Sequence, residues 1–111
     1  MGCVFCDIIQ KKIPADIIFE DDLTVCFKDA NPVVPFHVLF IPKEHISSAL
    51  GINFQNSKIV GRIFENISKI IEQYCPNGFR VVSNCGSDAI QSVMHLHFHI
   101  LGGQKLRWPP C

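Results

Sequence analysis

The sequence predicts an α+β fold, one antiparallel sheet with helices packed to one side of it. Three observations carry that reading. Ser57 to Tyr74 repeats apolar side chains at helical spacing, Phe36 to Ile41 is apolar on nearly both strand faces, and His95-Leu96-His97-Phe98-His99-Ile100 alternates strictly. Alternation of period two marks a strand, because successive side chains point to opposite faces. His95, His97 and His99 then share one face, and Leu96, Phe98 and Ile100 share the other. The apolar face goes into a core, which leaves a row of imidazoles facing a site. A core readily satisfies one buried imidazole. Three in register each need partners of their own.

The elements follow in order. Cys3 to Lys11 reads as a short helix ended by Pro14. Ile17 to Glu20 and Thr24 to Lys28 form a hairpin about the turn Asp21-Asp22. Asp29 to Pro35, with two prolines and Asn31, is a loop. Phe36 to Ile41 is a central, covered strand, with His37, Leu39 and Ile41 on one face and Phe36, Val38 and Phe40 on the other. Ile46 to Gln55 reads as a helical turn and a loop. In the Ser57–Tyr74 helix, Ile59, Val60, Ile63, Phe64, Ile67, Ile70, Ile71 and Tyr74 form one apolar stripe; Arg62, Glu65, Asn66, Lys69 and Glu72 fall opposite. Pro76-Asn77-Gly78 stops it. Phe79 to Asn84 is a strand, Cys85 to Met94 a polar loop, and the histidine strand ends at Gly102-Gly103.

The 111 residues suggest one domain, 1–111, with no repeat or linker. Apolar residues make up 48% and charged residues only 18%, so there is surplus surface for a subunit interface as well as a core. The formal net charge is zero and no basic run occurs, which gives no nucleic-acid footprint. No apolar run is long enough for a membrane span, and no secretory signal is visible. Met1-Gly2-Cys3 does not complete a myristoylation pattern, because Cys6 stands where serine or threonine is wanted. The six cysteines then fit a reducing, cytoplasmic or nuclear setting. Cys26 lies in an apolar strand and reads as core. Only Cys3 and Cys6 have ligand-like spacing.

Three strand histidines suit two chemistries. Alternate histidines can chelate a metal. An imidazole can also act as a nucleophile, since it is largely neutral at physiological pH. Phosphoryl chemistry would want small donors nearby, and Gln91-Ser92 and the Gly86 loop offer them. A sugar would want an acceptor such as Asp29 and an amide such as Asn84. Each also has a plainer role: Asp29 initiates a turn, Asn84 caps a loop, and His37 is structural.

The run Gln91-Ser92-Val93-Met94-His95-Leu96-His97-Phe98-His99-Ile100 resembles the signature of the histidine triad (HIT) superfamily. The likeness extends nearly end to end and is to the Hint branch, the nucleoside phosphoramidases. It is carried also by Asp7-Ile8-Ile9, Ile13-Pro14-Ala15, Ile18-Phe19-Glu20-Asp21-Asp22, Ile41-Pro42-Lys43-Glu44-His45-Ile46, Gly86-Ser87-Asp88 and Trp108-Pro109-Pro110. The resemblance implies a five-stranded antiparallel sheet with one long and one short helix. It also implies a homodimer joined along the Ser57–Tyr74 helix and the Phe79–Asn84 strand, so that the sheet continues across both subunits. The implied ligand is a purine nucleotide of the AMP or GMP type, and no organic cofactor is implied.

The same resemblance assigns roles. His97 is the nucleophile that attacks the α-phosphate of a nucleoside phosphoramidate or acyl-nucleotide. The backbone carbonyl of His95 orients it, His99 bonds phosphate oxygen, and Ser92 assists the leaving group. Asp29, Asn84 and His37 complete the nucleotide site. Some HIT proteins with a cysteine pair bind zinc, which here implies a structural zinc on Cys3, Cys6, His45 and His95. Two features depart from the Hint pattern: Ala89-Ile90 replace Gly-Gly before Gln91, and the tail ends Trp-Pro-Pro-Cys after Arg107. Two other functions share the fold, a non-enzymatic nucleotide-binding scaffold and a dinucleoside polyphosphate hydrolase or nucleotidyl transferase. The intact Ser92, His97 and His99 weigh against the first, and the Trp-Pro-Pro tail against the second.

Overall fold

A short helix, α1 (Val4–Ile9), starts at Cys3, whose Sγ accepts the Cys6 N–H at 3.3 Å. It is shorter than the spacing suggested, because Lys11 turns left-handed at φ +63°. Strands β1 (Ile17–Glu20) and β2 (Thr24–Lys28) form the expected hairpin. β3 runs Phe36–Pro42, and α2 runs Ser57–Ile70 before tightening into a 3-10 turn, Ile71–Gln73. β4 (Phe79–Val82) and β5 (Phe98–Gly102) complete a five-stranded antiparallel sheet in the order β1-β2-β3-β5-β4. These elements come from a computed structural model that describes residues 2–111; Met1, where the lipidation pattern begins, lies outside the described residues. Among the described residues, no helix is long and apolar enough to cross a membrane.

The helices do not share one side of the sheet, as the sequence suggested. Ile63, Ile67 and Ile71 of α2 pack with Cys26, Val38, Phe40, Leu96, Phe98 and Ile100. Phe5 and Ile8 of α1 pack with Val25, Phe27, Leu39 and Ile41 on the opposite face. The cause is β3, whose two apolar faces both need cover. His37 and His99 lie on the α1 face, since His99 pairs with Leu39 across the ladder and His37 precedes Leu39 by two.

Asn66, placed by spacing on the polar side of α2, is buried at 2% exposure. Its amide donates to Asp21 Oδ2 and to Thr24 Oγ1, each at 3.0 Å. Asp21 Oδ1 also accepts the Leu23 and Thr24 N–H groups at 2.9 and 2.8 Å. Burial pushes the Asp21 carboxyl up, but these hydrogen bonds outweigh it and hold it below the usual carboxylate range. This network ties α2 to the hairpin turn. Asn66→Ala is expected to cost about 1–3 kcal/mol of stability, because Asp21 and Thr24 lose a buried donor. Urea denaturation measures it, and an unchanged midpoint would deny the network that role.

Candidate active site and metal centre

β5 begins at Phe98, so His95 and His97 precede the strand they were expected to occupy. The Leu96 N–H is taken by the Ile46 carbonyl at 2.5 Å, outside the sheet ladder. The alternation nevertheless holds. Leu96, Phe98 and Ile100 enter the α2 core, and the histidines stay on the α1 side, where Phe5 meets both His95 and His97 edge-on.

The five histidines fall into two groups with different hydrogen-bond logic. In the first, His97 Nδ1–H donates to the His95 carbonyl at 2.7 Å, which leaves the Nε2 lone pair free. Its ring lies 5.2 Å from that of His99. The Val33 N–H donates to His37 Nδ1 at 3.2 Å, so the His37 proton sits on Nε2. That Nε2–H faces His99 Nδ1 at 2.9 Å and Asp29 Oδ2 at 3.3 Å. His99 accepts at Nδ1 and therefore carries its own proton on Nε2. One imidazole thus has a free ring lone pair and its neighbour a free ring N–H. Burial lowers the pKa of His37 against the opposing pull of Asp29. Burial, then His97 and His37, lowers that of His99. Both shifts favour the neutral rings.

In the second group, Cys3, Cys6, His45 and His95 bring one ligand atom each to within 4.8 Å of one another. Cys3 Sγ and Cys6 Sγ lie 3.3 and 3.6 Å from His95 Nδ1. His45 Nδ1 lies 3.3 Å from Cys6 Sγ and 3.2 Å from His95 Nδ1. A tetrahedral zinc with bonds of about 2.3 Å to sulfur and about 2.0 Å to nitrogen sets ligands about 3.3–3.8 Å apart. The donor set therefore fits such an ion. The second shell agrees: His95 Nε2–H donates to the Pro42 carbonyl at 2.9 Å, which turns the Nδ1 lone pair toward the thiols. Asp29, His37 and His99 also cluster within 4.8 Å. They fit a cation poorly, because the Val33 N–H on His37 Nδ1 puts a proton on the Nε2 that would have to ligate.

Asn84 and Ser92 sit on loops, and among the described residues neither side chain bonds to a triad ring. Asn84 follows Ser83, whose hydroxyl donates to the His97 carbonyl at 2.8 Å. Ser92 follows Gln91, whose amide donates to the Ser47 and Val93 carbonyls at 2.8 and 3.0 Å while its oxygen accepts the Gly86 N–H at 3.0 Å. Ser92 itself is exposed. Sequence reasoning missed Ser83, Val33 and Phe5. Ser83 and Val33 carry no motif; the one signal that could have found Phe5 is its place between the two cysteines.

The decisive comparison is with the family model described as scavenger mRNA decapping enzyme C-term binding, which matches residues 2–107. The chain belongs to the histidine triad superfamily. An uncharacterized HIT-like protein of Synechococcus elongatus is 41% identical over 108 residues, covering 96% of this chain and 95% of its own. The crystal structure of a HIT family hydrolase from Legionella pneumophila superposes with a TM-score of 0.94 at 38% identity, covering 99% of this chain and all of that one. A histidine triad nucleotide-binding protein from Candida albicans superposes with a TM-score of 0.81 at 30% identity, covering 97% of this chain and 83% of its own. This HIT chain therefore has the fold of HIT hydrolases, with two helices on a five-stranded antiparallel sheet.

Proposed function

We propose that this HIT protein hydrolyses purine nucleoside phosphoramidates or acyl-nucleotides through a nucleotidyl-histidine on His97. The observation that carries the reading is the pair of opposed tautomers, His97 with a free Nε2 lone pair beside His99 with an Nε2–H. His97 Nε2 attacks the α-phosphorus and the P–N bond breaks. The amine departs with a proton relayed from solvent through the Ser92 hydroxyl; with an acyl-nucleotide the P–O bond breaks instead and the carboxylate leaves without one. Water then attacks phosphorus and gives up a proton to solvent, the P–Nε2 bond breaks, and the nucleoside monophosphate leaves with His97 restored, its Nδ1–H still on the His95 carbonyl. His99 Nε2–H stabilises charge on phosphoryl oxygen in both steps. Asp29 accepts from the ribose hydroxyls and Asn84 contacts the ribose and phosphate, with His37 fixing His99.

Release of amine from a fluorogenic adenosine phosphoramidate tests this reading. Turnover is expected, and Ser92→Ala is expected to slow it less than loss of His97, because Ser92 assists a step that His97 carries. No release of amine by the wild-type protein would refute the reading. It would leave the nucleotide-binding scaffold, which AMP binding without turnover would identify.

The same reading places zinc on Cys3, Cys6, His45 and His95, where it would close a tetrahedral structural site and anchor the N-terminal segment. We also propose that the active form is a homodimer, in the cytoplasm or the nucleus. β4 is an edge strand, and edges need cover or pairing. A groove of about 540 Å³ between α2 and β4, lined by Phe64, Ile67, Cys75, Phe79 and Val81, leaves Phe64 and Phe79 45% and 39% exposed. Pairing two β4 strands about a two-fold axis would cover it. Light scattering at micromolar concentration is expected to give twice the chain mass; a monomer would contradict it.

A further inference from the structure

We propose that the Cys3–Cys6–His45–His95 centre positions the nucleophile, so that a metal held there fixes the tautomer and aim of His97 through the His95 carbonyl. This inference rests on the reading of His97 as nucleophile and of the four side chains as metal ligands. The free lone pair of His97 exists only while Nδ1–H is held by that carbonyl, at 2.7 Å. The sheet does not hold the carbonyl in place, because the ladder begins one residue beyond His97, with Phe98 opposite Phe40.

The residue that carries it is held by its side chain instead. His95 is fully buried, donates from Nε2 to Pro42, and presents Nδ1 to both thiols and to His45. The neighbouring Leu96 N–H is fixed by Ile46, next in the chain to His45. The centre therefore clamps His95-Leu96 and the Pro42–Ile46 segment to each other. Its other two ligands hold α1, and Phe5 between them sets its ring edge-on to His95 at 5.8 Å and to His97 at 5.1 Å between centroids. Cys3, Cys6 and His45 are thus positioning residues, and Phe5 transmits their hold to the His97 ring. A metal would join His95 Nδ1 to two sulfurs and to the His45 ring by bonds, where otherwise only weak sulfur–nitrogen contacts of 3.3 and 3.6 Å hold that side of the ring.

The test uses the full chain loaded with zinc(II), loaded with cobalt(II), or stripped by a chelator. Cobalt absorption in the visible range reports tetrahedral sulfur–nitrogen ligation without reference to activity. Nitrogen-15 spectra of the histidine rings report the His97 tautomer, and calorimetry reports AMP affinity. The expected result is one tautomer at His97 in the metal-loaded forms and a mixture in the stripped form. Stripping is expected to lower kcat by about 10–100-fold, the usual cost of losing support behind a metal site, with AMP affinity changed by less than about threefold. Zinc is expected to restore both. If stripping unfolds the chain, His45→Ala is read instead, since it leaves α1 and both thiols in place. A stripped or His45→Ala protein that keeps a single His97 tautomer and its kcat overturns the inference. Failure to take up cobalt or zinc overturns it together with the metal reading. A metal-loaded protein with one His97 tautomer but no turnover refutes the hydrolase reading alone, and the tautomer comparison still decides the positioning role.

Discussion

Replacing His97 with alanine is expected to lower turnover of an adenosine phosphoramidate by on the order of 10⁴-fold or more, while AMP affinity stays within about threefold of wild type. The proposed reaction has one covalent path, through Nε2 of this ring. Without it, water must displace the amine unaided in a site that is built to present a nitrogen. Binding persists because Asp29, His37 and His99 keep their own contacts, with His37 and His99 paired at 2.9 Å independently of His97. Steady-state kinetics and calorimetry on the same preparation separate the two quantities. A variant with near-normal turnover would remove His97 from the mechanism. A variant that loses turnover and AMP affinity together would make the ring a binding group.

Replacing His99 with alanine is expected to lower kcat by about 10²–10³-fold, the range found when one preorganised donor to a developing oxyanion is removed. The KM should change little, because the bond strengthens as charge grows on phosphoryl oxygen. The donor role depends on the Nε2–H tautomer, which His37 enforces from behind. His37→Ala is then expected to give a smaller loss in the same direction, since His99 keeps its place but not its fixed proton. A double variant no worse than His99→Ala would show that the two act as one unit. Losses that multiply would mean that His37 acts on substrate separately.

Much of this was legible in the chain because it rests on periodicity. The apolar stripe of α2, the two-faced strand β3 and the histidine alternation each follow from 3.6- and 2-residue repeats. The metal set Cys3, Cys6, His45 and His95 and the nucleotide set Asp29, Asn84, His37, Ser92, His97 and His99 both came from resemblance; the structure brings the first together and, of the second, Asp29, His37 and His99 with His97 beside them. The rest turned on long-range partners that spacing does not encode. Asn66 looks solvent-facing until Asp21 and Thr24 arrive from the hairpin. His95 and His97 look like strand residues until Ile46 captures the Leu96 N–H. The opposite placement of α1 was implied by the two apolar faces of β3, yet a helix of six residues carries too little pattern to orient it. Ile90 adopts φ +58° and is 80% exposed. A β-branched residue is strained in that conformation, which spacing alone does not reveal.

The stereochemical course at phosphorus tests the central claim most directly. An adenosine phosphorothioamidate of defined configuration, hydrolysed in oxygen-18 water, yields a phosphorothioate whose configuration can be read. Two in-line displacements, first by His97 Nε2 and then by water, predict net retention. Inversion would mean a single displacement by water and would contradict the nucleotidyl-histidine intermediate.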